Sequence, residues 1–385
     1  MPVEFNHKTK VIFGLDTISE LGSETKKYGS QAMILCDRGV RLAGILEKAT
    51  NSLDEKNISY IVYDKIKPNP RDKDCDRVAQ VARESGVDVI IGLGGGSAMD
   101  TAKAVALVVT NGGPTKKWDW KLLDHEMLPV ICVPTTSGTG SEVTFCAVIT
   151  DEEREYKMSM FDPDNLAPKV AIVDPTLTFS LPASLTASTG VDALTHAVEA
   201  YTSKLSQPLT DSYALYAIKL ISENLETVFE SPQNAEARSN MMIASLMAGI
   251  AFINSNVGAV HALSETIGGK YDTPHGVANS IFLPYVMEYN AVTMPKKYSD
   301  IATYLGIKNN YKTLEEHAKA GIDFVKSLNS RLNIPTLKNL DYLKPSDFEL
   351  IAERSAKNAL SADNGREINK EGYMEILKAA YGMRL

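Results

Sequence analysis

Residues 87–93 read as a β-branched strand that runs straight into Gly94, Gly95, Gly96 and Ser97 and then into helix-forming residues 98–107. A strand, a glycine turn and a helix in direct succession restrict the fold to an α/β layer in which further parallel strands follow. Glycines without Cβ atoms let backbone N–H groups approach an anion closely, and the positive end of the next helix favours negative charge there. The segment therefore predicts pyrophosphate contacts at Gly94, Gly95, Gly96 and Ser97. It is not the usual GxGxxG fingerprint, because Ser97 stands where that pattern needs glycine. Ser97 with Asp100 three residues on also reads as a helix-capping pattern.

The rest of the first half repeats this texture. Short β-branched runs at 10–13, 32–36, 60–63 and 128–133 alternate with amphipathic stretches such as 39–53 and 72–84, which places helices over a mainly parallel, Rossmann-like sheet. After Asp174-Pro175 helical patterns dominate, at 186–202, 209–225, 235–253, 314–332 and 373–381. Residues 240–253 are apolar nearly all round, as a helix inside a bundle is. The expected architecture is an α/β dinucleotide-binding domain over 1–180 and an all-α metal- and substrate-binding domain over 181–385.

A second turn, residues 134–142 (PTTSGTGSE), follows the run 128–133. Ligands of parallel sheets bind at the carboxyl ends of strands, where both turns fall, so Thr135, Thr136 and Ser137 are candidates to line the same crevice. Hydroxyl-rich turns also satisfy their own backbone. Asp37 ends the run 32–36 at another carboxyl end. A carboxylate there accepts from a ribose 2′-hydroxyl and repels a 2′-phosphate, which favours NAD over NADP; the alternative is a turn or helix-capping aspartate.

Charge narrows the partners. With 48 acidic against 40 basic side chains and a net charge of −8, the chain has no basic excess for a phosphate backbone, and nucleic acid is not expected. The 385 residues, 44% hydrophobic and 23% charged, suit a folded protein of two domains. No run approaches the ~20 apolar residues of a membrane span, and residues 1–10 lack a leader pattern, so a cytoplasmic, membrane-free protein is expected. Cys36, Cys75, Cys132 and Cys146 have no CxxC spacing and read as reduced, buried thiols.

Of six histidines, His7, His125 and His317 lie in polar contexts that read as exposed. Asp192 and His196 are four apart on a helix whose other face carries Val191, Leu194, Val198 and Tyr201, so their side chains stack on one side. His261 closes an apolar run, and His275 stands between Pro274 and Gly276 in what reads as a rigid turn. One carboxylate and three imidazoles suit a borderline divalent ion, Fe²⁺ or Zn²⁺, and leave coordination positions open for substrate.

These residues resemble the iron-dependent (group III) alcohol dehydrogenases, of the dehydroquinate synthase-like fold. The carriers, in order along the chain, are Gly94-Gly95-Gly96-Ser97-Ala98-Met99-Asp100-Thr101-Ala102-Lys103, residues 134–144 (PTTSGTGSEVT), residues 192–201 (DALTHAVEAY) and residues 261–279. The resemblance implies an NAD(P)-binding α/β domain, a helical metal domain and an active site in the cleft between them. It also implies Asp192, His196, His261 and His275 as metal ligands, iron as the metal, Asp100 within the cofactor motif, Thr135 and Ser137 as cofactor contacts, and a homo-oligomer such as a dimer. Two departures stand out. Many members carry a histidine one turn after the third ligand, where this chain has Glu265, and an Asn-Pro-Arg-like segment is here Asn364-Gly365-Arg366.

The expected activity is metal-dependent hydride transfer between NAD(H) and a small primary alcohol or aldehyde. No cluster of arginines neighbours the ligand motifs, which points to a neutral substrate over a diacid. The alternatives are an NAD- and metal-dependent lyase of the dehydroquinate synthase type, which would not accumulate NADH, and a non-catalytic nucleotide-binding protein on the same scaffold.

Overall fold

The structure is a computed structural model that describes residues 3–383. The leader reading over 1–10 and the outer ends of both expected domains fall partly on residues 1–2 and 384–385, outside the described residues. Among the described residues eight strands form: β1 (Lys10–Phe13), β2 (Gln31–Leu35), β3 (Ser59–Tyr63), β4 (Val89–Gly94), β5 (Val130–Pro134), β6 (Cys146–Asp151), β7 (Tyr156–Phe161) and β8 (Val170–Val173). Six of them make one parallel sheet in the order β1-β8-β5-β4-β2-β3, and β6 and β7 pair as an antiparallel hairpin. Strands sandwiched between helices must be apolar on both faces. Accordingly Val89, Ile90, Ile91 and Leu93 of β4 and Val130, Ile131, Cys132 and Val133 of β5 are all fully buried.

The register brings the functional turns together. Gly94, the last residue of β4, pairs with Pro134, the last of β5, and the Thr135 N–H donates to the Gly94 carbonyl at 3.0 Å. Five helices cover this unit: α1 (Leu21–Thr25), α2 (Arg38–Leu42), α3 (Ile45–Glu55), α4 (Asp72–Glu84) and α5 (Gly96–Asn111). The stretch 39–53, which reads as one helix, is two. Gly44 at φ 72° ends the first before Ile45 starts the second.

Nine more helices follow among the described residues: α6 (Ala183–Thr202), α7 (Pro208–Glu230), α8 (Ala235–Ser255), α9 (Ala259–Tyr271), α10 (His275–Ala291), α11 (Pro295–Tyr304), α12 (Leu314–Arg331), α13 (Phe348–Lys357) and α14 (Lys370–Tyr381). One continuous apolar core joins Val191, Leu194 and Val198 of α6 to Ile218 and Ile221 of α7, Ala244 and Ala248 of α8, and Leu263 of α9. The axes of α8 and α9 meet at 99°. Among the described residues no single helix is long and apolar enough to cross a membrane.

The chain divides into two compact units, Asn6–Leu181 and the remaining described residues, 3–5 with 182–383. Residues 3–5 thus belong with the helices and not with the sheet. Gln207 Nε2 donates to the Glu4 carbonyl at 2.8 Å, and Phe5 stacks on Tyr213 with ring centroids 6.0 Å apart. Three cysteines, Cys36, Cys75 and Cys132, are buried, whereas Cys146 at the start of β6 is half-buried; no disulfide joins any of the four. Burial pushes the Cys36 and Cys132 thiols up to about 12, so neither is a thiolate at neutral pH.

Ile91 sits in the middle of this sheet, fully buried, its Cα paired with Ile34 on one side and Ile131 on the other. Ile91→Ala should lower stability by about 3 kcal/mol, the cost of lost burial plus an unfilled cavity. Denaturant unfolding followed by circular dichroism checks it; a change near zero would mean that the β4 layer does not limit stability.

Candidate metal centre and cofactor turn

Helix α5 begins at Gly96, and no side chain caps it. The Ser97/Asp100 capping pattern is therefore not used as a cap, because Asp100 turns elsewhere. Its Oδ1 accepts from Ser141 Oγ at 2.6 Å and its Oδ2 from the Val148 N–H at 3.1 Å. Lys103, one turn on and fully buried, donates to Ser141 Oγ (2.9 Å), Thr144 Oγ1 (3.0 Å) and the Cys146 carbonyl (2.7 Å), and lies 3.7 Å from Asp100. A buried ammonium needs such a full set of acceptors. Asp100 and Lys103 thereby bolt the second turn to α5. In that turn burial pushes the Glu142 carboxyl up to about 7, against the pull of its own backbone N–H and of Lys103.

The two turns touch. A Cβ on Gly96 would lie 2.7 Å from Thr139 Cγ2, so only glycine admits this approach, and a Cβ on Gly95 would lie 3.4 Å from Thr136. Thr135 and Ser137 are buried beside them, and Ser137 Oγ makes no hydrogen bond within the protein. A buried hydroxyl left in that condition is costly unless a ligand answers it. Asp37 is a helix cap through one oxygen, with Oδ1 accepting from the Val40 N–H at 3.0 Å. Its Oδ2 borders the glycine turn, 3.6 Å from where a Gly94 Cβ would stand. Uncapped helix start, glycine backbone and unanswered hydroxyl fit a phosphate-bearing cofactor.

In the helical unit Asp192 and His196 rise from one face of α6, His261 from the first turn of α9 and His275 from the first position of α10. His275 is thus on a helix, with Pro274 before it, and not in the turn its flanking residues suggest. Gly276 lets that helix start abut α6: a Cβ there would meet the Ser188 carbonyl oxygen at 2.8 Å. One ligand atom from each of Asp192, His196, His261 and His275 lies within 4.8 Å of the others. The Nε2 atoms of His196 and His261 are 3.0 Å apart, and His275 Nε2 is 3.8 Å from Asp192 Oδ1. Phe252 of α8 stacks on His196 with centroids 4.4 Å apart and walls that side.

Glu199, on the same face of α6, stands behind this group. Its Oε2 accepts from His261 Nδ1–H at 2.5 Å, and its Oε1 accepts from the Val260 N–H at 2.7 Å. With the proton held on Nδ1, the Nε2 lone pair of His261 faces inward, as a metal ligand requires. Burial by itself pushes His261 down, but the charge and hydrogen bond of Glu199, with Asp192 and Glu265 adding, hold its pKa above the usual imidazole value. The pocket therefore favours a positive charge despite full burial, and the donor set fits a divalent cation.

Glu199 is missed by reading the sequence in Asp/His pairs, although Asp192, His196 and Glu199 at i, i+4 and i+7 form a polar stripe on an otherwise apolar helix. Glu265, one turn after His261, is nearly buried, and its Oε2 accepts from Asn358 Nδ2 at 2.9 Å. Asn364 exchanges two hydrogen bonds with Asn290, at 2.9 and 3.0 Å, and accepts from the Ala259 N–H at 3.3 Å. The altered segment thus anchors the start of the helix that carries His261. His317 does not fit its exposed reading. It is fully buried, with Nδ1 2.9 Å from Ser299 Oγ and Nε2 3.1 Å from the Ile307 carbonyl oxygen.

Comparison with known proteins places these features in one group. The iron-containing alcohol dehydrogenase model matches residues 8–175, and the C-terminal model of the Fe-containing alcohol dehydrogenase family matches residues 186–381. Over 374 residues the chain is 38% identical to 1,3-propanediol dehydrogenase of Citrobacter freundii and 37% identical to alcohol dehydrogenase 4 of Saccharomyces cerevisiae, covering 96% of each chain in both cases. The solved alcohol dehydrogenase from Oenococcus oeni matches with a TM-score of 0.95 at 36% identity, spanning 99% of this chain and 100% of that one.

Replacing Glu199 with Gln keeps an acceptor for Val260 but removes the carboxylate behind His261. Zn²⁺ affinity, read by competition with a chromophoric chelator, should fall about 10- to 100-fold. Affinity within twofold of the wild type would show that Glu199 does not orient this imidazole.

Proposed function

This chain belongs to the iron-containing alcohol dehydrogenase family, and from that membership we propose that it moves a hydride between NAD(H) and a small primary alcohol or its aldehyde, using one divalent ion held by Asp192, His196, His261 and His275. The observation that carries the reading is the convergence of these four side chains, with Glu199 orienting His261 from behind. When bound, the ion supplies Lewis acidity toward the substrate oxygen and the nicotinamide supplies the hydride carrier.

The protein's own share is positioning and charge. Asp192 contributes the anionic ligand, and the apolar walls around His196 and His261 keep water from competing for the donors. His275 is the most exposed of the four, its side chain 28% accessible, so substrate arrives from that side. Glu265 replaces the histidine that many relatives carry one turn after His261, so no imidazole proton relay operates there. Gly94, Gly95, Gly96 and Ser97 at the start of α5 receive the pyrophosphate, with Thr135, Thr136 and Ser137 alongside. Asp37 Oδ2 receives the ribose 2′-hydroxyl and disfavours a 2′-phosphate, which makes NAD the cofactor. Iron is the metal of choice by family, and Zn²⁺ also suits the donors.

His261→Ala should remove bound metal and turnover together while NAD⁺ binding, measured by calorimetry, stays within a few-fold. Activity that survives would refute the ligand assignment. In the wild type NADH should accumulate one for one with aldehyde; catalysis without net NADH would mean a lyase. Asp37→Gly should shift the kcat/KM ratio for NADP⁺ over NAD⁺ upward by at least about tenfold, since one charge–charge contact of about 1.4 kcal/mol is worth that factor. A wild type that already prefers NADPH would contradict the role given to Asp37.

A further inference from the structure

Glu265 stands one turn after His261 on α9, on the face that turns that imidazole toward Asp192, His196 and His275. It is nearly buried, and its Oε2 accepts from Asn358 Nδ2 at 2.9 Å. Its charge is felt at the donors: burial lowers the His261 pKa, while Glu199, Asp192 and Glu265 raise it. A carboxylate placed here is costly to keep out of water, and the pairing that repays the cost is with a positive charge.

The basic residues of the surrounding helices are engaged elsewhere. Helices α6 and α10 contain no lysine or arginine. In α9 the basic residue is Lys270, in the last turn, standing over the Tyr271 ring at 5.3 Å. In α8 it is Arg238, at the opposite end of the helix from Phe252, donating to the Pro232 carbonyl and to Thr186 Oγ1. On α13, joined to α9 through Ser355 and Thr266, Arg354 and Lys357 are exposed. Against this stand the carboxylates of Asp192, Glu199 and Glu265. A divalent ion balances two of them, Asp192 directly and Glu199 through His261, so Glu265 is one carboxylate more than the ion requires.

We propose that Glu265 selects substrate by charge, so that the preferred alcohol or aldehyde carries an ammonium group two or three carbons from its oxygen. This rests on the dehydrogenase reading above and names the substrate class of that same site. The i, i+4 spacing sets the Cβ atoms of His261 and Glu265 about 6 Å apart, a gap that a short amino alcohol spans. An ammonium there meets the surplus carboxylate, an anionic chain is repelled, and an uncharged chain leaves the carboxylate facing carbon. The lack of arginines that disfavours a diacid acts in the same sense. The reaction itself is unchanged: the carbinol carbon gives a hydride to NAD⁺, the hydroxyl proton goes to solvent, and an amino aldehyde and NADH leave.

Two alcohols that differ only at the far end decide it: 3-amino-1-propanol, charged at neutral pH, and 1-butanol. With the metal-loaded enzyme and saturating NAD⁺, kcat/KM for the amine should exceed that for 1-butanol by at least about tenfold, chiefly through KM. The preference should fade as the pH passes about 10, where an alkyl ammonium gives up its charge. Glu265→Gln keeps an acceptor for Asn358 and removes the charge. The ratio should then fall at least about tenfold, the amine losing and 1-butanol gaining. Glu265→Asp keeps the charge and should keep the preference. A ratio near one in the wild type, or a Glu265→Gln enzyme that slows on both alcohols in equal proportion, would overturn the proposal, because the carboxylate would then serve only to hold Asn358. A wild type that oxidises neither of these nor any other primary alcohol would instead refute the dehydrogenase reading beneath it.

Discussion

Three imidazoles and a carboxylate crowded within 4.8 Å inside an apolar helical core demand a positive charge among them. Much of the helical unit can be understood as meeting that demand. Helix α6 supplies Asp192, His196 and the supporting Glu199 from one face and buries Val191, Leu194 and Val198 on the other. The sharp bend between α8 and α9 points the first turn of α9, and with it His261, at α6. Gly276 then lets α10 begin close enough to bring His275 and Asn279 into the same space. These polar groups sit on three helices, and the apolar packing of those elements holds them in place.

The sheet unit works by a different economy. The anion site proposed for it is built from what is missing: side chains at Gly95 and Gly96, a capping residue on α5 and a partner for the Ser137 hydroxyl. Asp100 and Lys103, whose charges look available in the sequence, are both committed to holding the second turn against α5. The two turns are thereby held together by the protein's own contacts, which would lower the ordering cost of the proposed cofactor binding.

Legibility followed the range of the physics. Strands β1 to β5 and helix α4 stand out because their patterns are local and strong. Strand β8 runs straight into the turn signal of Asp174-Pro175, which dominates the segment, and the β6–β7 hairpin carries polar residues that mask it. Gly44 breaks an otherwise convincing helix because a left-handed residue costs little at glycine. The Asp192/His196 pair is visible as an i, i+4 spacing, but nothing local ties it to His261 and His275; that link came from resemblance to a family. His317 was hidden by its charged neighbours, since burial of a histidine is decided by tertiary packing and not by the residues beside it. Glu199 is a polar residue one turn from a candidate ligand, and its role depends on what another helix brings.

The proposed dehydrogenase activity depends on one ion in the helical site. Stripping the protein of metal and titrating Fe²⁺ back without air, with a panel of small primary alcohols and NAD⁺ present and NADH followed at its absorbance band, measures that dependence. No NADH should come from the stripped protein, and the rate should climb linearly to a break at one ion per chain. Full NADH production before any metal is added, or a reconstituted protein with one ion per chain that oxidises no primary alcohol, would contradict it.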